Sequence, residues 1–305
     1  MSQLSYALGI DIGGTKIATA LIDHKGKIAQ TAKVASDVRD AEKMFQSVIT
    51  SIETVLLLAN LELKDVAAIG VGLPGKVDHL KGIAVFQNNL PWANFPVVQR
   101  LREWGDLQVP IAIDNDVKVA AFAEYQLADI KADDTMSYLT ISTGIALTSM
   151  YRNEALRGVG FSGEIGFLPV ASLEEEESAI NLEQYASGPG IEKRGQLAFG
   201  NPELTTEDIF NLYREEDATA VKLIEESAAA TAQALFAVTC VLDPALFVLG
   251  GSVAFHNPTY VEAIKHALGN LLHAEQRHIL DNIKVSQLGG DNGVIGAGLL
   301  AWHQV

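Results

Sequence analysis

Near the amino terminus an apolar run, Tyr6-Ala7-Leu8-Gly9-Ile10, ends in Asp11-Ile12-Gly13-Gly14-Thr15-Lys16 and resumes at once as Ile17 to Ile22. Two buried strands joined by so few residues leave room for a tight turn but not for a helical crossover, so they must pair antiparallel. A third strand from about Ile28, after the turn His24-Lys25-Gly26-Lys27, extends the pair to a meander. The first turn carries chemistry of its own. An acid at a strand end can hold a divalent cation directly or through water, and glycines let backbone N–H groups approach an anion with no Cβ in the way. Such turns also serve plain hairpins, and both readings stand at this point.

Downstream, Met44, Val48, Ile52, Val55 and Leu56 recur at near-helical spacing and predict a helix from Asp40 to about Ala59. Val66 to Leu73 reads as a buried strand stopped by Pro74-Gly75, Phe95 to Trp104 as a helix, and Ile111 to Asp114 as a strand. The helix expected over Val117 to Leu127 opens a second half, in which Ser137 to Tyr151 repeats the opening pattern: a buried strand, the turn Ser142-Thr143-Gly144, and a strand again. After Ser187-Gly188-Pro189-Gly190 the chain reads helical over Ile191 to Leu197, Thr206 to Arg214 and Ala218 to Val241. A strand Ala245 to Leu249 stopping at Gly250-Gly251, a helix Pro258 to Leu272, a strand Ile283 to Gln287 and a small-residue helix Gly293 to His303 follow. The economical reading is two related α/β halves with a cleft between them.

Composition narrows the partners. A net charge of −16 over 305 residues argues against nucleic acid, whose phosphates demand clustered Lys and Arg, and favours a small neutral or cation-chelated ligand. Part of that charge lies in Glu174-Glu175-Glu176-Glu177, read as a solvated loop. No segment approaches the roughly 20 apolar residues that span a bilayer, and Met1-Ser2-Gln3-Leu4 lacks the features of a signal peptide, so a cytoplasmic protein without membrane contact is expected. Cys240, the single cysteine, lies within the apolar series Leu235 to Leu249 and is expected in the core. The seven histidines show no metal spacing and are assigned no role.

Three turns after strands, Asp11 to Lys16, Ser142 to Gly144 and Gly250-Gly251-Ser252, make three candidate contacts to one nucleotide. No Gly-x-x-x-x-Gly-Lys-Ser/Thr is present, which excludes a P-loop. The tandem strand-turn-strand pattern resembles instead the phosphate clamps of the actin, Hsp70 and hexokinase superfamily. With Asn115-Asp116 and Ser162-Gly163-Glu164-Ile165-Gly166 added, the chain resembles the ROK family of sugar kinases and repressors. The likeness runs through Gly72-Leu73-Pro74-Gly75, Asn89-Leu90-Pro91-Trp92, Leu182-Glu183, Ala186-Ser187-Gly188, Val248 to Gly251 and Gly293 to Ala297.

That resemblance implies an α/β, two-domain actin/Hsp70/hexokinase-like (ribonuclease H-like) fold with ATP in an interdomain cleft. Residues 1–115 with the returning helix 292–305 would form one domain and 116–291 the larger one. It implies a hexose kinase with Asp116 as general base on the sugar 6-hydroxyl, a role that suits a carboxylate at a strand end. Asn115-Asp116 ahead of a helix is also a good N-cap, and the two roles can coexist. Asn115, Asp116, Glu164 and Glu183 would hold the sugar, with Asn89 and Gly82 at the pocket rim. Asp11, Gly13, Gly14, Thr15, Lys16, Thr143, Gly144, Gly250 and Gly251 would hold ATP, with Asp11 taking Mg2+. A homodimer is implied as well. Only Met1 to Ser5 precede the first strand, so the helix-turn-helix of the family's repressors is not expected.

Two departures stand out. Zinc-containing members end the sugar turn in His and follow it with a Cys-rich loop; here Phe167 ends it and Leu173 to Asn181 has no cysteine, so no zinc is expected. Phe167 fits either an altered sugar pocket or a core position. The family's extra glycines after the second turn are replaced by Ile145-Ala146-Leu147, which would narrow the phosphate site if they face the nucleotide and leave it open if they face the sheet. A sugar binder with weakened catalysis is the competing expectation.

Overall fold

A computed structural model of the chain describes residues 6–170 and 180–305, and the Glu174 to Glu177 run lies outside them. The opening meander forms as expected: β1 (Tyr6–Ile12), β2 (Lys16–Ile22) and β3 (Ile28–Ala35) pair antiparallel. Helix α1 (Ala41–Ala59) starts at Asp40, whose carboxylate accepts from the Lys43 N–H at 2.8 Å, and β4 (Val66–Leu73) returns parallel to β1. A small antiparallel sheet follows, β5 (Lys76–Asp78), β6 (Ile83–Phe86) and β7 (Ala93–Phe95). Helix α2 (Val97–Gly105) begins two residues later than expected, because Pro96 pushes Phe95 out of the helical region and into β7. Strand β8 (Ile111–Asn115) and helix α3 (Asp116–Leu127) complete this stretch, and the main sheet runs β3-β2-β1-β4-β8.

The second stretch repeats that plan. Strands β9 (Met136–Ile141), β10 (Ile145–Tyr151) and β11 (Glu154–Ala155) form a meander, and β12 (Pro169–Val170) pairs with β13 (Ile180–Asn181). Helices α4 (Leu182–Ala186), α5 (Gly188–Phe199), α6 (Thr206–Arg214) and α7 (Ala218–Leu242) follow. Strand β14 (Leu246–Gly250), helices α8 (Gly251–His256) and α9 (Pro258–Gly269) and strand β15 (Ile283–Val285) close it. Its sheet, β11-β10-β9-β14-β15, has the same order and the same directions as the first, three antiparallel strands and then two parallel ones. Helix α10 (Asn292–Trp302) ends the described chain.

Packing divides these elements into two units: one runs to Ala128 and takes back Gly290–Val305, and the other is Asp129–Gly289. The expected boundary after residue 115 therefore moves to the far end of α3. A Cβ on Gly296 of α10 would stand 2.0 Å from the Val119 carbonyl oxygen, so these two helices pack backbone to backbone within the first unit.

In that unit the sheet has a large face and a small face. Leu8, Ile10 and Ile12 of β1 and Ile69, Val71 and Leu73 of β4 join Met44, Val48 and Ile52 of α1 in one core. The alternate residues Ala7, Gly9, Ala68 and Gly70 are small because α10 lies directly on them. A Cβ on Gly70 would meet the Ala297 carbonyl at 1.8 Å. Trp302 Nε1 donates to the Ile22 carbonyl at 2.9 Å, fastening the helix across 280 positions of sequence.

The second unit has its own core around Leu139, Ile141, Leu235, Phe247, Leu249 and Tyr260. Cys240 is not in it: the residue is exposed. The apolar series that held it is not one buried segment, because α7 turns Cys240 and Val241 to its outer side before the chain enters β14. Among the described residues no helix is long and apolar enough to cross a membrane.

Candidate active site

The parallel register of β1, β4 and β8 sets Asp11, Gly72 and Asp114 side by side at the strands' carboxyl ends. Asp11 lies on the small-residue face, where a Cβ on Gly293 in the first turn of α10 would come within 2.7 Å of its Oδ2. Burial raises the Asp11 pKa from 3.8 to about 6; the nearby negative charge of Asp116 adds to the rise, and Lys16 opposes it. This is a carboxylate that a cation would relieve.

The following turn is both things the sequence allowed. Gly13 closes the hairpin, its N–H donating to the Lys16 carbonyl at 3.0 Å. The N–H groups of Gly14 and Thr15 have no acceptor among the described residues and remain for an anion. Asn89 overlies the turn, since a Cβ on Gly14 would stand 3.0 Å from both its Cβ and its carbonyl oxygen. Gly82, by contrast, is a structural glycine: φ is +72°, its N–H donates to the Asp78 carbonyl at 2.9 Å, and its carbonyl accepts from the Val98 N–H at 3.2 Å. Val98 packs against it and accounts for the glycine by the fold alone.

Asn115 caps α3, its Oδ1 accepting from the N–H groups of Val117 at 3.1 Å and Lys118 at 3.4 Å, while its Nδ2 donates to the Gly75 carbonyl at 3.0 Å. These bonds fix the start of the helix, and so the place of Asp116, its first residue. The Asp116 pKa is raised by burial, against the Val117 N–H that donates to Oδ1 at 2.9 Å and the charge of Lys118.

In the second unit the turn Ser142-Thr143-Gly144 matches the first. The Ser142 N–H donates to the Gly144 carbonyl at 2.9 Å, and the N–H groups of Thr143 and Gly144 have no acceptor among the described residues. The next N–H, of Ile145, donates to Glu183 Oε2 at 2.9 Å. Glu183 therefore braces the turn with one oxygen, a role its sequence context did not suggest. Ile145 and Leu147 are 2% and 7% exposed and point into the core, so they do not narrow the turn. Glu164 is exposed and its side chain has no hydrogen-bond partner among the described residues. Phe167 is 65% exposed, which excludes the core position.

The third turn works mainly through packing. A Cβ on Gly250 would stand 2.3 Å from the Tyr138 hydroxyl, and Gly251, at φ +81°, lies against the Ile141 carbonyl. The next residue makes the link to the second turn, Ser252 Oγ lying 3.0 Å from Ser142 Oγ. Both serines line a cavity of about 610 Å³ whose other walls include Gly188 and Glu192 of α5, Thr206 and Arg214 of α6, and His256 of α8. The sequence flagged Ser187-Gly188 but not the rest. Four of these side chains sit on three helices with no spacing to connect them, and only the fold brings them together.

A model of the ROK family matches residues 7–304. The chain belongs to the ROK family. Among similar proteins, a glucokinase of Halalkalibacterium halodurans is 28% identical over 330 residues, covering 100% of this chain and 97% of the relative. An N-acetylmannosamine kinase of Pasteurella multocida is 30% identical over 304 residues, covering 97% and 95%. The crystal structure of a ROK glucokinase from Streptomyces griseus, in complex with glucose and AMPPNP, superposes with a TM-score of 0.78 at 26% identity, covering 98% of this chain and 99% of that one. The repeated sheet order is thus the actin/hexokinase-like fold of the ROK sugar kinases.

Proposed function

We propose that this protein is an ATP-dependent kinase that phosphorylates the 6-hydroxyl of a hexose such as glucose, N-acetylmannosamine or a β-glucoside. The observation that carries the reading is the setting of Asp116, a carboxylate of raised pKa at the cap of α3 and within electrostatic reach of Asp11. The glucokinase and N-acetylmannosamine kinase relatives support the reaction class, and the AMPPNP held by one of them supports ATP as donor.

In the reaction the sugar 6-oxygen attacks the γ-phosphorus while its proton passes to Asp116. The bond from the γ-phosphorus to the β,γ-bridging oxygen breaks, and ADP leaves. The N–H pairs of Gly14-Thr15 and Thr143-Gly144 bind phosphate oxygens, and Lys16 adds a positive charge. Asp11 offers Mg2+ the hard oxygen donor it prefers, and a bound cation supplies neutralisation of phosphate charge there. Ser252 and the α5–α6 cavity receive the nucleoside.

Asn89, Asn115 and Glu164 orient sugar hydroxyls, and Glu183 adds its Oε1, since Oε2 serves Ile145. The exposed ring of Phe167 takes the sugar's apolar face or a substituent. Weakened catalysis loses its main motive, because Ile145 and Leu147 face the core.

The test is ADP production with ATP, Mg2+ and a panel of glucose, N-acetylmannosamine, N-acetylglucosamine, fructose and a β-glucoside. Asp116→Asn is expected to lower kcat by roughly 10²–10⁴ with sugar binding retained. An unchanged rate in that variant sinks the assignment of the base.

A further inference from the structure

We infer that Glu192 reads the ribose of the phosphate donor and makes this protein selective for ribonucleotides, an inference that rests on the assignment of the second unit's cavity to the nucleotide. Helix α5 is pinned to the phosphate-binding turn at its first residue, the Gly188 N–H donating to the Ser142 carbonyl at 2.9 Å. Glu192 lies four residues further, on the same face of the helix and about 6 Å along its axis. That is one short step from where phosphates would be held, the position that the sugar of a nucleotide takes.

The carboxylate is clamped rather than free to swing. Glu192 Oε2 accepts from the Thr206 N–H at 3.0 Å, and the single proton of the Thr206 hydroxyl is shared between the Gly188 carbonyl at 2.9 Å and this oxygen at 3.3 Å. The other oxygen, Oε1, has no donor among the described residues, and the residue forms part of the cavity wall. An ionised carboxylate only accepts hydrogen bonds. Beside an anion-binding turn it repels phosphate and demands a neutral donor, which the vicinal 2′- and 3′-hydroxyls of a ribose supply. Lining the site with a carboxylate thus favours a nucleotide over an inorganic phosphate chain, which offers no donor at this point.

Calorimetric binding of ADP, 2′-deoxy-ADP, 3′-deoxy-ADP and inosine diphosphate to wild type, Glu192→Ala and Glu192→Gln tests the inference without turnover. Wild type is expected to prefer ADP over the deoxy analogue that lacks the contacted hydroxyl by on the order of tenfold, the usual effect of a hydrogen bond to a charged group. Glu192→Ala is expected to abolish the preference for ADP over this analogue, bringing the two affinities together. Glu192→Gln, which keeps an acceptor for Thr206, is expected to fall between. Equal weakening of all four nucleotides in Glu192→Ala makes the residue a brace for α6 and overturns the inference alone. Loss of a preference for ADP over inosine diphosphate assigns the contact to the base amino group and also overturns it. No nucleotide binding by wild type overturns the cavity assignment, and the inference with it.

Discussion

The burial of Asp11 costs the fold stability near neutral pH. Its pKa of about 6 exceeds the unfolded value of 3.8, so between those values the folded chain retains a proton that the unfolded chain has lost. Stability owed to this group is therefore fullest below about pH 4 and falls as pH rises towards 6. Asp11→Asn is expected to stabilise the protein on the order of 1–2 kcal/mol at about pH 7.5, after allowance for partial solvent access, and not at all below about pH 4; denaturant melts at the two pH values check this. The same variant should lose activity. The acid limb of kcat/KM is expected near pH 6, where Asp11 takes up its proton, and to move to lower pH as Mg2+ is raised, because a cation favours the ionised form. Glycines divide in how legible they are. The turn Gly13-Gly14 could be read because the strands that flank it are its neighbours in sequence. The close approaches at Gly82, Gly250 and Gly251 could not, since each is made by a residue distant in the chain, Val98, Tyr138 or Ile141.

At the scale of elements, α10 is held by an absence of side chains. Gly70→Ala would place a methyl group 1.8 Å from the Ala297 carbonyl, and Gly9→Ala one 2.0 Å from that of Val294. Each is expected to cost about 3 kcal/mol or more, the upper end for overpacking, in chemical denaturation. Gly290→Ala, which meets nothing within 4 Å, should change stability by less than about 0.5 kcal/mol. A buried tie in the second unit behaves differently. Arg194 of α5 pairs with Glu226 of α7, donates to Ser227 Oγ at 2.9 Å and stacks 3.7 Å over the ring of Tyr185 in α4. Arg194→Met leaves buried Glu226, among the described residues, with only the Lys222 ammonium at 3.8 Å and the Tyr185 hydroxyl at 3.4 Å, and is expected to cost roughly 1.5–3 kcal/mol, read in the same assay. The long elements could be read from the sequence because 19 or 25 residues, as in α1 and α7, display a period many times over. The strands of the β5–β7 sheet and helices α4 and α8, at three to six residues, show barely one period and were missed. The exposure of Cys240 is hidden in the sequence for a related reason: two elements in succession, α7 and β14, make one apolar run.

The whole molecule repeats one sheet plan in two units, and the repeat was visible because each copy opens with a strand, a small-residue turn and a strand. The units differ in how the chain supplies them. The second is a single stretch, Asp129–Gly289, with its own core, and expressed alone it is expected to melt cooperatively. The stretch ending at Ala128 lacks α10 and leaves its small-residue face bare. Expressed alone it is expected to give no cooperative melt, and circular dichroism on both fragments checks the contrast.

That split sets an order on events at the ribosome. Chains fold broadly from the amino end as they emerge, yet here the first unit to emerge is the last to close. The backbone that walls Asp11 is Gly293, which is synthesised only after the entire second unit. Translation that halts anywhere before this residue leaves the second unit able to fold and the first without the helix that covers Asp11. Closure of the first unit thus waits on α10, the element that packs against the bare glycine face of β1 and β4.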